Sequence, residues 1–277
     1  MNRIKALYKL TRPMNALSGA LAVLLGGYVA GTGEWLNVFL AAMATILVTG
    51  SANAWNDYLD VEIDRINQPN RVLPSGKIDP RDAWRYAVSL TAVALVISVF
   101  INLAAFLIVL FSSIILYLYS WKLKSTILLG NATVAVISAS SAIFGGVAAG
   151  NIWPTFWLAI IIASAIMGRE VLKTLADYEG DLSQRCRTIA TAWGRRPARI
   201  VFYLLTAITV WVMMVPYLFN VYSPIYAYIV AFGVYPVIIY IVLRVSQHTS
   251  PRQLEKLSQL MKYDFLVWFV AVWLGAS

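Results

Sequence analysis

Uncharged apolar stretches of about twenty residues recur along the chain, at 14–32, 36–55, 127–148, 152–168, 200–219 and 222–243. A helix rising 1.5 Å per residue needs about 20 such residues to cross a bilayer core, so each stretch predicts one membrane span. The stretch 86–121 is far too long for one crossing, and Asn102 near its middle predicts two helices joined by a tight turn. A last apolar segment, 265–277, is short for a span unless its helix begins near Lys262. The pattern therefore predicts an all-α polytopic membrane protein with nine transmembrane helices.

Composition sharpens this. The chain is 60% hydrophobic and 13% charged, against roughly 25% charged in soluble domains, and its mean hydropathy is +0.71. Nothing reads as a separate soluble domain or long linker, so residues 1–277 are expected to form a single integral membrane domain. Cys186 is the only cysteine, which excludes an intramolecular disulfide, and His248 is the only histidine. Zinc, haem and histidine-based catalysis thus lack their usual groups; a metal here would be a hard cation held by oxygen. Arg3, Lys5, Lys9 and Arg12 precede an apolar run, as in a signal peptide, but that run is long enough to span and more follow, so it reads as the first helix.

Charge placement predicts orientation. With the N-terminus in the cytoplasm, all 22 Lys and Arg fall in cytoplasmic segments, while the opposite face keeps one charge, Glu34. That is the positive-inside pattern, so the protein is expected in the cell membrane with its N-terminus cytoplasmic. The net charge of +9 suits anionic lipid headgroups and does not argue for nucleic acid.

Two acidic clusters interrupt the apolar pattern, "NDYLDVEIDR" at 56–65 and "LADYEGD" at 175–181. They follow the second and sixth spans, so both lie on the cytoplasmic face, and four spans separate them. Asn56, Asp60 and Asp64 stand at i, i+4 and i+8, which places three oxygen side chains on one helical face; Asp177 and Asp181 repeat the i, i+4 step. Like charges at this spacing oppose helix formation, and burying them costs several kcal/mol more. A bound cation would compensate, and Mg²⁺ suits a few carboxylates completed by phosphate oxygens and water. The plainer reading, charged loops paired with Arg65, Arg71 and Lys173, explains one cluster better than two with matching spacing.

This constellation resembles the UbiA superfamily of intramembrane prenyltransferases. Asn56, Asp57, Asp60 and Asp64 match its N-D-x-x-D-x-x-x-D motif, with Asn53 upstream and "RVLPSG" (71–76) after it. Lys173, Asp177, Gly180, Asp181 and then Thr188 match its second motif, and "YSWKLK" (119–124) and "GN" (130–131) match two shorter signatures. "GREVLKTLADYEGD" (168–181) is most similar to the family's archaeal lipid enzymes, which prenylate geranylgeranylglyceryl phosphate. Thr174 departs from that pattern where an acid is usual, and Arg185 where a glycine is usual.

The resemblance implies transfer of a polyprenyl group from its diphosphate, geranylgeranyl diphosphate in the lipid enzymes, to an acceptor nucleophile. It implies Mg²⁺ on Asn56, Asp60 and Asp64, and a second Mg²⁺ on Asp177 and Asp181. Arg71, Lys124 and Lys173 become candidate phosphate clamps, and Arg169 a candidate for the acceptor's phosphate. Asn53, Asn131 and Tyr119 join the substrate-binding set, with Tyr117 and Trp121 as aromatic neighbours of the pocket mouth. Asn15 and Asn131 have an alternative role in helix contacts, and interfacial aromatics have one in membrane anchoring. "FGGVAAG" (144–150) reads as close helix packing, since no strand precedes it as a phosphate loop requires. Two other functions stand beside the lipid prenyltransferase. One is prenylation of an aromatic or tetrapyrrole acceptor. The other is a membrane transporter, which would place ionisable residues at span centres; the apolar stretches show none there.

Overall fold

The structure is a computed structural model that describes residues 3–276, with the backbone alone for Ile66 and Asn67. Among the described residues all regular structure is helical: α1 Arg3–Leu10, α2 Pro13–Val29, α3 Trp35–Leu59, α4 Val61–Asn67, α5 Pro80–Val99, α6 Leu103–Trp121, α7 Leu129–Ala149, α8 Thr155–Ala176, α9 Tyr178–Ser183, α10 Ile189–Trp193, α11 Arg195–Leu218, α12 Pro224–Ile229, α13 Tyr235–Arg244 and α14 Pro251–Gly275. A π-helical turn, Val230–Val234, joins α12 to α13 into one rod. Among the described residues eight helices are long and apolar enough to cross a membrane, and α2 is a shorter apolar helix. Leu36, Phe100, Phe232 and Leu243 are each at least 70% exposed. Apolar side chains turned outward along such helices require lipid.

Local sequence explains the helix ends. Asn102 caps α6, its side chain accepting from the Ala105 amide at 2.8 Å, so the long apolar stretch does divide there. Asp79 caps α5 ahead of Pro80, whose fixed φ suits a first helical position. Ser250 and Gln253 form a capping box, followed by Pro251, and start α14 well before Lys262. The last helix is therefore 25 residues long. It brings Lys262 and Asp264 into a membrane-spanning rod, and one Asp264 carboxylate oxygen is buried without a hydrogen-bond partner. Span centres are thus not free of ionisable groups, because the apolar run marks only the second half of this helix.

The chain forms two compact units, Met1–Leu123 with Ser141–Thr155, and Lys124–Ser140 with Phe156–Ser277. In the first, Val23, Val38, Ala41, Ala44, Ala94, Val109 and Phe144 pack as a core. Glycine allows the closest approach: a Cβ on Gly145 would lie 2.1 Å from the Val23 carbonyl oxygen, and one on Gly26 would lie 2.2 Å from that of Ala142. This is small-residue packing of membrane helices, as "FGGVAAG" suggests. In the second unit Val171, Leu172, Leu175, Ile189, Phe202, Ile241, Leu254 and Leu257 form the core. Each unit carries one acidic cluster, at the end of a long helix.

Candidate active site

In the first unit the cluster lies where α3 gives way to α4. Asp60 has φ −92° and ψ 3°, off the helical values, yet the ladder persists: the Asp60 amide donates to Asn56 O at 3.0 Å and the Asp64 amide to Asp60 O at 2.8 Å. Asn56, Asp60 and Asp64 therefore stay on one face. Asn56 Nδ2 donates to Asp60 Oδ2 at 3.0 Å, which ties these two side chains together.

Arginines surround this junction. Arg71 Nη1 lies 2.7 Å from Asp64 Oδ2 and 3.9 Å from Asp57 Oδ1. Val72 and Leu73, which follow it, are buried in a cluster with Ala6, Leu10, Ala83 and Ala87, so packing anchors the "RVLPSG" turn. Arg12 also pairs with Asp57, and it holds a left-handed backbone, φ 48°, between α1 and α2. Asn53 Nδ2 donates to the Thr11 carbonyl at 3.0 Å. That bond fixes the turn presenting Arg12, so Asn53 supports an arginine.

The second unit repeats this geometry. Asp177, between α8 and α9, has φ −89° and ψ 6°; its amide donates to Lys173 O at 2.9 Å, and the Asp181 amide donates to Asp177 O at 2.8 Å. The electrostatics differ. Among the described residues neither carboxylate is in an ion pair. Burial, then repulsion from Asp177, pushes the Asp181 carboxyl up to about 6, although Thr188 hydrogen-bonds it. Asp177 reaches the surface, but neighbouring protein still raises its carboxyl: desolvation outweighs the attraction of Lys173, and Glu255 and Glu170 add to the rise. Thr188 itself is fixed by a capping box with Thr191 at the start of α10.

The remaining candidates separate. Lys173 Nζ lies 3.1 Å from both Glu170 oxygens, and Arg169 Nη1 lies 3.3 Å from Glu170 Oε1. Asn131 is buried near the start of α7, 8% exposed, and Lys124 sits in a short 3₁₀ turn, Leu123–Ser125. Tyr119 is half-buried on α6. Tyr117 is committed to structure: its hydroxyl lies 2.7 Å from Ser51 Oγ and 2.9 Å from Thr91 Oγ1, and its ring stacks on Trp55. Trp121 is exposed, with Lys122 over its ring.

Sequence reasoning gave no role to Arg12, Asp57 or Glu170. Arg12 was hidden among the orientation charges of the N-terminus. Its one signal was Asp57, an acid off the i, i+4 face that needed a partner. Among the described residues no three His, Cys, Asp or Glu side chains converge to hold a metal by themselves. Each junction instead offers two carboxylates, with an amide oxygen added at the first. That donor set suits Mg²⁺, which uses one or two carboxylates and completes its shell with water and phosphate oxygens.

The UbiA prenyltransferase family model matches residues 17–273. Digeranylgeranylglyceryl phosphate synthase of Methanosphaera stadtmanae is 31% identical over 268 residues, covering 97% of this chain and 98% of its own length. The enzyme of the same name from Methanococcus maripaludis is 36% identical over 232 residues, 83% of each chain. Among solved structures, one described as giving insights into digeranylgeranylglyceryl phosphate synthase in membranes has a TM-score of 0.81 at 28% identity, covering 100% of this chain and 99% of its own. A UbiA homologue from Archaeoglobus fulgidus bound to GPP and Mg²⁺ shares the fold, with a TM-score of 0.68 at 21% identity over 95% and 99% of the chains.

Proposed function

Because this chain is a multi-pass membrane protein belonging to the UbiA prenyltransferase family, we propose that it transfers a geranylgeranyl group from its diphosphate to the free hydroxyl of geranylgeranylglyceryl phosphate. The observation that carries the reading is the repeated junction, a carboxylate pair at the end of a long helix in each unit, together with relatives named for that product. The family model spans both units, and we take them as one prenyltransferase domain. We read α2 as the ninth span, with the N-terminus and both junctions on the cytoplasmic side, where the positive-inside pattern puts them.

Asn56, Asp60 and Asp64 would hold one Mg²⁺, and Asp177 and Asp181 another. The bound metal supplies Lewis acidity, meeting negative charge as it builds on the leaving diphosphate. The acceptor hydroxyl oxygen forms a bond to the allylic carbon, the carbon–oxygen bond to diphosphate breaks with its electron pair, and the hydroxyl proton passes to solvent. Arg71, Arg12 and Lys124 bind and orient the donor diphosphate. Asp57 aims the two arginines, and Asn53 fixes the turn that carries Arg12. Thr188 orients Asp181. Arg169 and Lys173, steadied by Glu170, serve the acceptor side, with Asn131 and Tyr119 lining the substrate region.

The test is direct. Purified protein with Mg²⁺ and geranylgeranyl diphosphate is expected to convert geranylgeranylglyceryl phosphate to the diether phosphate. Turnover of an aromatic acid or tetrapyrrole acceptor, with none of the glyceryl phosphate, would overturn the lipid assignment.

A further inference from the structure

The segment between α8 and α11 joins two helices long and apolar enough to cross a membrane, so it lies at a membrane–water interface. From Leu182 to Arg199 it holds Arg185, Arg187, Arg195, Arg196 and Arg199, and no acid. Arg195 pairs with Glu179 at 2.9 Å and lies over the Tyr178 ring. Among the described residues the other four arginines are in no ion pair, and Arg185, Arg187 and Arg196 are exposed. In the Met1–Leu123 unit, by contrast, Arg3, Arg65, Arg71 and Arg85 each meet a carboxylate. Orientation requires basic residues in such a segment and is largely indifferent to acids, so topology does not account for four arginines without one. Two apolar side chains accompany them: Leu182 and Trp193 are each 51% exposed. Arg185 also holds a left-handed backbone, φ 54°, which glycine adopts freely and arginine does not. A charged side chain is thus kept where the backbone favours glycine. The turn bearing Arg185 and Arg187 is bonded to the second acidic junction. Between them the Cys186 amide donates to Asp181 O at 2.8 Å, and the Cys186 carbonyl accepts from Thr191 Oγ1 at 2.6 Å. Thr191 Oγ1 in turn accepts from the Thr188 amide at 2.9 Å, and Ile189 and Ala190, next in the chain, are buried in the unit's core.

We propose that the 182–199 segment is a binding surface for anionic membrane lipids, with Arg185 and Arg187 holding their phosphate headgroups, and that this contact steadies the turn bonded to Asp181. The lipid surface is independent of the prenyl-transfer reading; its effect on the metal rests on that reading. The occupant follows from the chemistry. Guanidinium groups without a carboxylate call for anionic oxygens, and a phosphodiester offers two that match the guanidinium fork. The negative potential of an anionic lipid surface favours each arginine placed there. Half-exposed tryptophan suits the headgroup level of a bilayer, which a soluble anion would leave uncovered. A headgroup held by either arginine restrains Cys186 between them and, through its amide, the Asp181 carbonyl.

The experiment uses the full chain. In detergent with EDTA, thermal stabilisation is compared for short-chain phosphatidylglycerol, phosphatidylcholine and inorganic phosphate. Phosphatidylglycerol should stabilise the wild type, and the other two should not. In Arg185→Gln/Arg187→Gln the phosphatidylglycerol concentration giving half the effect should rise by roughly tenfold or more, the scale of two basic residues removed from an anionic surface. Arg185→Lys/Arg187→Lys should restore most of the loss. Arg185→Gly, which suits the left-handed turn, should fold as the wild type does and still weaken the response. Arg252→Gln/Lys256→Gln removes two exposed charges from α14 and should change nothing. In phosphatidylcholine vesicles the half-saturating Mg²⁺ for prenyl transfer should match in wild type and the glutamine variant. With phosphatidylglycerol added, the variant should need severalfold more Mg²⁺ than the wild type. Equal stabilisation by inorganic phosphate, an unaltered glutamine variant, or an equal loss in the α14 control would overturn the lipid surface. So would a change confined to the KM of a prenyl substrate, or a wild-type dimer that the variant breaks, which would assign the arginines to substrate capture or to a second copy. Lipid binding without a Mg²⁺ effect would overturn the coupling to Asp181. A wild type without prenyl transfer would overturn the functional reading alone, and the stabilisation measurements would still decide the surface.

Discussion

The two acidic junctions have nearly the same backbone and different ion pairing. Asp60 and Asp177 share φ near −90° and ψ near 0°, and both keep the amide ladder running to an aspartate four residues on. At the first junction Asp57 and Asp64 are buried against Arg12 and Arg71. At the second, Asp177 and Asp181 face each other's charge without an ion pair among the described residues. Equal geometry therefore does not mean equal demand for metal. The first cluster has arginine partners within the protein, whereas the second has no ion pair among the described residues.

The largest expected effect treats the junctions alike. Asp60→Ala and Asp181→Ala should each lower turnover by at least about a hundredfold, since losing a metal-bearing carboxylate removes several kcal/mol of charge stabilisation. Turnover should likewise vanish in EDTA and return with Mg²⁺. A folded variant that keeps more than about a tenth of wild-type activity would remove that residue from the metal set.

Stability should then separate them. Asp57→Ala leaves Arg12 and Arg71 without their shared partner. Both arginines are more than a third exposed, so the cost should fall below that of a fully buried pair, about 1–3 kcal/mol. Asp177→Ala relieves repulsion at Asp181 and, in EDTA, should leave stability unchanged or higher. Thermal or denaturant melts of the two variants without metal test this, and equal destabilisation would erase the contrast.

The smallest effect is in pH. Asp181, raised to about 6 from an ordinary 3.8, holds a proton in the native state that the unfolded chain has already released. The metal-free protein should therefore gain stability from this group as pH falls from 7 toward 5, and lose it as pH rises through 6. Mg²⁺ needs the carboxylate, so the half-saturating Mg²⁺ concentration should rise as pH falls through the same range. Melts in EDTA and Mg²⁺ titrations at pH 5 and 7 measure both, and an Asp181→Asn variant with undiminished pH dependence would place the titration elsewhere.

Much of this was legible in the residues. Helix type followed from uncharged runs matched to bilayer thickness, although among the described residues eight helices, not nine, are long and apolar enough to cross, and Asn102 marked a helix break because its side chain caps the next helix. The carboxylates proposed to hold metal stood out because acids at i, i+4 are costly in an apolar chain. The start of α14 was misplaced, since polar first turns hide a helix from a hydropathy pattern. Arg12 was passed over, since topology alone accounts for a basic N-terminus.

Periodicity and charge are properties of the chain in order, so the sequence by itself determined the membrane class, most of the spans and which carboxylates share a helical face. Which arginine meets which carboxylate depends on side chains far apart in the chain. Only the tertiary structure decided that Arg12 reaches Asp57, that Asn53 holds the turn behind it, and that Arg169 on α8 reaches the Ser258 carbonyl on α14. Those contacts depend on how helices cross. Crossing is set by the packing of small side chains such as Gly26 and Gly145, whose partners no local pattern reveals.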